Sequence, residues 1–491
     1  MEDEDNSASA GEETTEKCQR SMPSRRTRQS AALQEVTRRR EEQHRKDQEE
    51  RGRLAELEIE FQERCSELGL QLIRSDDPRS APLGLNEYFL RLSDGSEDVD
   101  VQLSVEKSVV LKRFIVDLSR ELWLLSDCAG IVQVDRGYIE AIIENADGAK
   151  SWSTYDIDSR LFSHPETRRR SGRISAVADT ADLAVEISEP SALFSVLESR
   201  ISPPPRLLSG MSDELVTLKV SGITLRDRQH GEEVLRAIAQ SLSFDLEARF
   251  GRGFSLYPRF DWNSLRNRKR ADERGSGTVN PVRQPLKLTL NAYAREATSY
   301  YWHARKVESV PLAAYLGYYQ VLEYHFQRYL HQDLIKLVRR RLKDPGLDID
   351  SDHDLARLMS AVDGALRRRN SELQQLTVTL SNCLDPENLA QFIANDESLS
   401  THLTRKDGIP GIPTVPSNLA ESSLVERVAE RIYKLRCRIV HSKGESRGNE
   451  IFLLVPESHD ALSVKEDIKL VRFVAQSVII ASSDTLDLDR L

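Results

Sequence analysis

At 491 residues the chain is long enough for two to four domains, each with its own core. It is 39% hydrophobic and 30% charged, which fits a soluble protein carrying extended polar segments. A net charge of −10 excludes a surface coated for nucleic acid, so any such contact must be a local basic patch.

Residues 1–30 are acidic and then Ser/Arg-rich, with little that could form a core, and read as a disordered tail. The acidic start has neither the basic region nor the apolar stretch of a signal peptide, and eighteen consecutive apolar residues occur nowhere. Five widely spaced cysteines form no zinc-ligand pattern. These features predict reduced thiols, a cytoplasmic location, no membrane association, and neither metal nor cofactor.

Residues 31–68 predict a charged helix or short coiled coil. Leu54, Leu57, Phe61, Cys65 and Leu68 recur at three- and four-residue steps and make one apolar stripe. Such a stripe serves either oligomerisation or packing against the next domain.

Residues 69–290 mix strand-like and helical patterns and predict an α+β region, either one domain or two small ones divided near Pro203–Pro204–Pro205. Strands are expected at 99–105, 183–188 and 215–225, and helices over Lys112–Leu125 and Glu232–Ala248. The cluster Arg168–Arg169–Arg170 with Arg173 reads as a phosphate-binding patch or an exposed basic loop. No nucleotide-binding, hydrolase or zinc-protease motif occurs, so a sensor role for this region leaves its ligand unassigned.

Residues 291–491 predict an all-α bundle. Its first helix opens at Pro311 and places Leu312, Tyr315, Leu316, Tyr319, Leu322, Phe326 and Leu330 on one face. Further helices are expected over Asp354–Arg369, Glu387–Ile393, Ser422–Ile439 and Leu462–Ala481. The arginine runs 339–341 and 367–369 could track an RNA backbone or simply be solvated helix ends.

Chemistry concentrates at RIYKLRCRIVHSKGE, residues 431–445. Ile432, Leu435 and Ile439 face inward, while Lys434, Arg436, Arg438, His441 and Lys443 gather positive charge at the helix end. A histidine moves protons near neutral pH without a metal, and an arginine offers a planar fork to a phosphate in the transition state. Five residues of continuous helix turn through about 500°, about 140° past a full turn, so Arg436 and His441 would not share a face. They meet only if the helix ends before His441 or if two copies face each other.

The same spacing recurs at Arg39 and His44 inside the polar N-terminal helix, but only the later pair closes an apolar-periodic helix in a bundle. That segment resembles the signature of HEPN domains. YLGYYQVLEYHFQRY (315–329) and DIKLVRFVAQSVIIASS (467–483) are similar to their first long and closing helices, and the resemblance spans about 290–485. It implies a metal-independent endoribonuclease with Arg436 and His441 as catalytic pair, in a homodimer with two pairs across one cleft. It further implies RNA as substrate, a possible protein partner or antitoxin, and a prokaryotic toxin, abortive-infection or anti-phage role. The other reading is a non-catalytic RNA- or nucleotide-binding or dimerisation module. Lys434, Cys437, Arg438, Lys443 and Glu323 are the supporting candidates, Glu323 as partner of Arg436. Cys437 departs from the Asn, Asp or His that usually follows the arginine.

Overall fold

The computed structural model describes residues 25–74, 88–146 (except 104 and 106), 174–177, 183–201, 216–258, 286–368 (except 288), 371–405 and 408–416 (except 410), then 420–440, 454 and 458–490. The proline run at 203–205 and the Arg168–Arg173 cluster lie outside these residues. Among those described, a mixed α/β region precedes a helical one.

Helix α1 (Arg25–Leu68) has few apolar side chains in its first half, and residues 37–49 are exposed there. Its second half explains the apolar stripe. Leu54, Phe61 and Cys65 are buried, and Leu57 and Leu68 pack beside them, against a core shared with Leu90, Phe114 and Ile115. Packing against the next domain is therefore what this stripe does. Tyr88 locks the seat by donating to Glu58 Oε1 at 2.5 Å and accepting from Gln62 at 2.7 Å.

The partner of α1 is a three-stranded antiparallel sheet, β1 (Gln71–Arg74), β2 (Tyr88–Ser93) and β3 (Asp98–Gln102), with α2 (Ser108–Asp117). The helix expected over Lys112–Leu125 is thus corrected. Leu118 leaves helical geometry, and Leu122–Leu124 runs on as strand β4. A short apolar run with no alternation fits either state, and here pairing with β5 decides it.

The larger sheet contains β4, β5 (Gly130–Gln133), β6 (Tyr138–Asn145), β7 (Ile174–Val177), β8 (Ala184–Ser188), β9 (Thr217–Ser221), β10 (Phe254–Leu256) and β11 (Leu286–Lys287). Its order is β11-β7-β8-β9-β6-β5-β4, with β10 also on β6, and only β11–β7 is parallel. Strand alternation splits its side chains between two cores. Ile139, Ala141 and Ile143 pack toward α4 (Arg228–Phe250), whereas Ile131 and Ile142 pack toward α2 and α3 (Ala192–Ile201). A carboxylate, Glu140, is buried in β6 with full satisfaction: it accepts from Tyr138, the Ser191 N–H and hydroxyl, and Thr217 at 2.5–2.9 Å.

Helix α4 opens on an Asp227 cap, whose side chain accepts from the His230 N–H, and closes at Gly251 with φ 67°. One face covers the sheet. The other sends Phe244 into the helical core, where it meets Tyr293 and Tyr301. Beside it Glu247, 2% exposed, accepts from Tyr301, Arg305 and the Gly253 N–H at 2.9–3.1 Å. The two regions therefore share one buried, polar-satisfied seam.

The helical region comprises α5 (Arg295–Lys306), α6 (Pro311–Leu342), α7 (Asp352–Arg368), α8 (Glu372–Cys383), α9 (Pro386–Asn395), α10 (Glu397–Thr404), α11 (Glu421–Val440) and α12 (His459–Ala481). Among the described residues eight helices stand where five were expected. Helix α6 is the centre of the bundle. Tyr315, Tyr319, Leu322, Phe326 and Leu330 are buried as the stripe predicts, but so are Ala314, Tyr318, Val321, His325 and Tyr329. Neighbours on several sides leave little of this half of the helix wet. Gly317 admits α5, since a Cβ there would meet the Cβ of Ala304 at 2.7 Å. Strands β12 (Asn291–Ala292) and β13 (Asp484–Thr485) pair across the two ends of the region. Among the described residues no helix is long and apolar enough to cross a membrane.

Candidate active site

Helix α11 is amphipathic because Val428, Ile432 and Leu435 follow the helical repeat, and all three are buried. Two arginines on this helix escape solvent in different directions. Arg436 reaches α6 and α8, where its Nη2 lies 3.2 Å from Glu323 Oε1 and 3.1 Å from Glu372 Oε1. Its guanidinium also covers the Tyr319 ring at 5.4 Å, and the Tyr319 hydroxyl donates to Glu372 at 2.9 Å.

One nitrogen of this guanidinium is thus anchored and the other two are not. Nε and Nη1 make no hydrogen bond among the described residues and are not among the buried unpaired atoms. The carboxylates beside Nη2 influence each other. Burial, then hydrogen bonding and repulsion from Glu372, hold Glu323 above the usual carboxylate value, while Arg436 pulls it back.

The structure brings Glu323 to Arg436; other predicted residues go elsewhere. Lys434 pairs with Glu430 at 2.8 Å on its own helix. Cys437 is half-buried beside Tyr433, and their hydrogen bond, with burial, raises the Tyr433 phenol. Arg438 lies over Gly411, its Nη2 occupying the space a Cβ would need (2.4 Å), and burial lowers its basicity. Gly411, at φ 69°, gives both the turn and the room. His441 and Lys443 lie outside the described residues, as does Arg369; α11 is described as far as Val440. Arg39 and His44 are exposed on α1.

The second arginine, Arg431, forms a cluster absent from the sequence reading. Its Nε donates to Asp467 Oδ1 at 2.6 Å, Nη2 to Oδ2 at 3.0 Å, and Nη1 to the Pro413 carbonyl at 2.8 Å. His402 Nε2 lies 2.7 Å from the same Oδ2. Asp467 and Arg431 are 2% and 3% exposed. Burial alone would raise the Asp467 carboxyl, but contact with His402 and the charge of Arg431 hold it below the ordinary value. A charged residue inside the apolar stripe of α11 was the sequence signal for Arg431. Glu372, Tyr319 and Tyr433 carried none, since their roles come from helices meeting in space. Among the described residues no group of three or more His, Cys, Asp or Glu gathers as a metal site.

No protein-family model, no curated protein and no solved structure matches the chain.

Proposed function

We propose that the chain is a HEPN-type, metal-independent endoribonuclease with Arg436 and His441 as its catalytic pair, acting as a homodimer in a prokaryotic toxin or anti-phage system. The supporting observation is the half-anchored guanidinium of Arg436. Glu323, Glu372 and Tyr319 hold it through Nη2 and leave Nη1 to donate to a non-bridging phosphate oxygen. His441, five residues on, removes the proton from the RNA 2′-hydroxyl. The 2′-oxygen then bonds to phosphorus, the P–O5′ bond breaks, and the leaving 5′-oxygen takes a proton from the second copy's protonated His441. The products are a 2′,3′-cyclic phosphate and a 5′-hydroxyl.

The test is RNA cleavage by the purified full chain in EDTA, with end-group analysis. Cyclic phosphate ends are expected, together with loss of cleavage by about a hundredfold or more in His441→Ala and Arg436→Lys. Lysine keeps the charge and loses the fork. Intact RNA with a folded dimer sinks the proposal.

A second reading, non-catalytic RNA or nucleotide binding or dimerisation, is favoured by one observation. Arg436 already has two carboxylates at Nη2, which compete with phosphate for its charge. Under that reading RNA binds, remains intact, and is released by Arg436→Lys.

A further inference from the structure

Helices α10 and α12 flank a groove of about 630 Å³, of the size that holds a small ligand. One wall is Thr401, His402 and Arg405; the other is Leu462, Ser463 and Lys465. His402 sits at its inner side with its two ring nitrogens in different situations. Nε2 faces the buried, ionised Asp467 at 2.7 Å and so carries the proton. Arg431 Nη2, 3.0 Å from the same nitrogen, gives one of its two hydrogens to Asp467 Oδ2. Nδ1 is therefore left as an acceptor; it makes no hydrogen bond among the described residues and is not buried.

An imidazole oriented this way waits for a donor, such as a ligand hydroxyl. Around it stand cations that are uncommitted: neither Arg405 nor Lys465 has an ion-pair partner among the described residues. The walls also hold two carboxylates, Glu397 and Glu466, and Glu466 is paired with Lys469 at 2.7 Å. The Thr401 hydroxyl adds a donor, the Ser463 hydroxyl being spent on the Asp460 carbonyl at 2.7 Å, and Leu462, 49% exposed, offers an apolar contact.

We propose that this groove binds a ribonucleoside monophosphate, with phosphate between Arg405 and Lys465, a ribose hydroxyl donating to His402 Nδ1, and the base against Leu462. The site lies on side chains separate from the Arg436 pair and stands or falls independently of the nuclease reading.

Calorimetric titration of the full chain with the four ribonucleoside 5′-monophosphates, and with inorganic phosphate as control, tests it. At least one nucleotide is expected to bind more tightly than phosphate. Arg405→Ala/Lys465→Ala, which changes only exposed side chains, should weaken that binding at least tenfold. His402→Gln should do likewise while remaining folded, because the glutamine amide still donates to Asp467 but leaves no acceptor at the Nδ1 position. Absence of nucleotide binding, equal affinity for phosphate alone, or affinity unchanged in the folded variants each overturns the proposal.

Discussion

Tyr319 and Arg436 address the same oxygen of one carboxylate: the Tyr319 hydroxyl donates to Glu372 Oε1 at 2.9 Å, and Arg436 Nη2 lies 3.1 Å from that atom. With Glu323 on the same nitrogen, α6, α8 and α11 are tied at a single point. Two half-buried carboxylates about one cation put the site under electrostatic tension.

Glu372→Gln should relieve that tension. Glu323 has a folded value above the ordinary 4.5, so its contribution to stability is complete below about 4.5 and disappears as pH rises through the folded value. The wild type therefore loses stability from this residue on going upward through that window. Urea melts from pH 4 to 7 should show a flatter pH dependence in the variant, and a carbon-detected titration should place Glu323 lower. An unchanged Glu323 midpoint would show that Glu372 does not govern it.

Asp467→Asn leaves Arg431 buried without a counter-charge. A loss of about 3–5 kcal/mol at pH 7 is expected. The folded value of Asp467 is depressed below 3.8, so its stabilisation is present above about 3.8 and is lost as pH falls through the folded value. Acid unfolding should accordingly be less steep in the variant. Because Asp467→Asn alone can fail to fold, Arg431→Met/Asp467→Leu is the companion. It removes both charges and should recover most of the loss in a thermal melt.

His325 is 1% exposed, its Nε2 has no hydrogen-bond partner among the described residues, and burial pushes its value down from 6.5 to about 4. A depressed base stabilises the fold above its unfolded value and loses that contribution as pH falls from about 6.5 toward 4. His325→Leu should therefore be more stable than wild type near pH 5, with the difference shrinking toward pH 7. Parallel melts at the two pH values read this directly, and equal differences would rule it out.

Glu247→Ala takes the acceptor from the Tyr301 hydroxyl and from Arg305 Nε, whose Nη1 keeps Glu308 at 2.7 Å, at the seam between the α/β and helical regions. A destabilisation of about 3 kcal/mol is expected from the orphaned buried donors. Hydrogen exchange should rise on α4 and α5 together. Protection unchanged on α5 would mean that the seam transmits nothing.

How much could be read from the sequence follows from where each signal is stored. Helices α4, α6, α11 and α12 were legible because their apolar residues recur along the chain itself. Strands β5 and β6 were not, for Gly130–Gln133 is buried throughout and Tyr138–Asn145 nearly so, erasing the alternation that marks a half-exposed strand. Glu140, an acid in the middle of β6, made that stretch look still less like core. Helix α8 hid behind β-branched Thr377, Val378 and Thr379, which packing rather than propensity holds in a helix. At the site, Arg436 stood out through its neighbours in sequence, whereas Glu372 precedes it by 64 positions. The His402–Asp467–Arg431 cluster draws on three helices, and no spacing rule joins residues 402, 431 and 467.

The small ladder between β12 and β13 has a consequence for how the protein can be rearranged. Asn291 pairs with Thr485, and the Leu486 N–H donates to the Leu290 carbonyl at 2.7 Å, so the chain enters and leaves the bundle at adjacent points. A unit whose two ends touch can be cut at a surface turn and rejoined through a short bridge, or set into a loop of another host, without stretching any helix. In this molecule the clasp favours moving the bundle as one cassette, with Phe244, Glu247, Gln240 and Asp245 of α4 among the side chains to be replaced when it is lifted out.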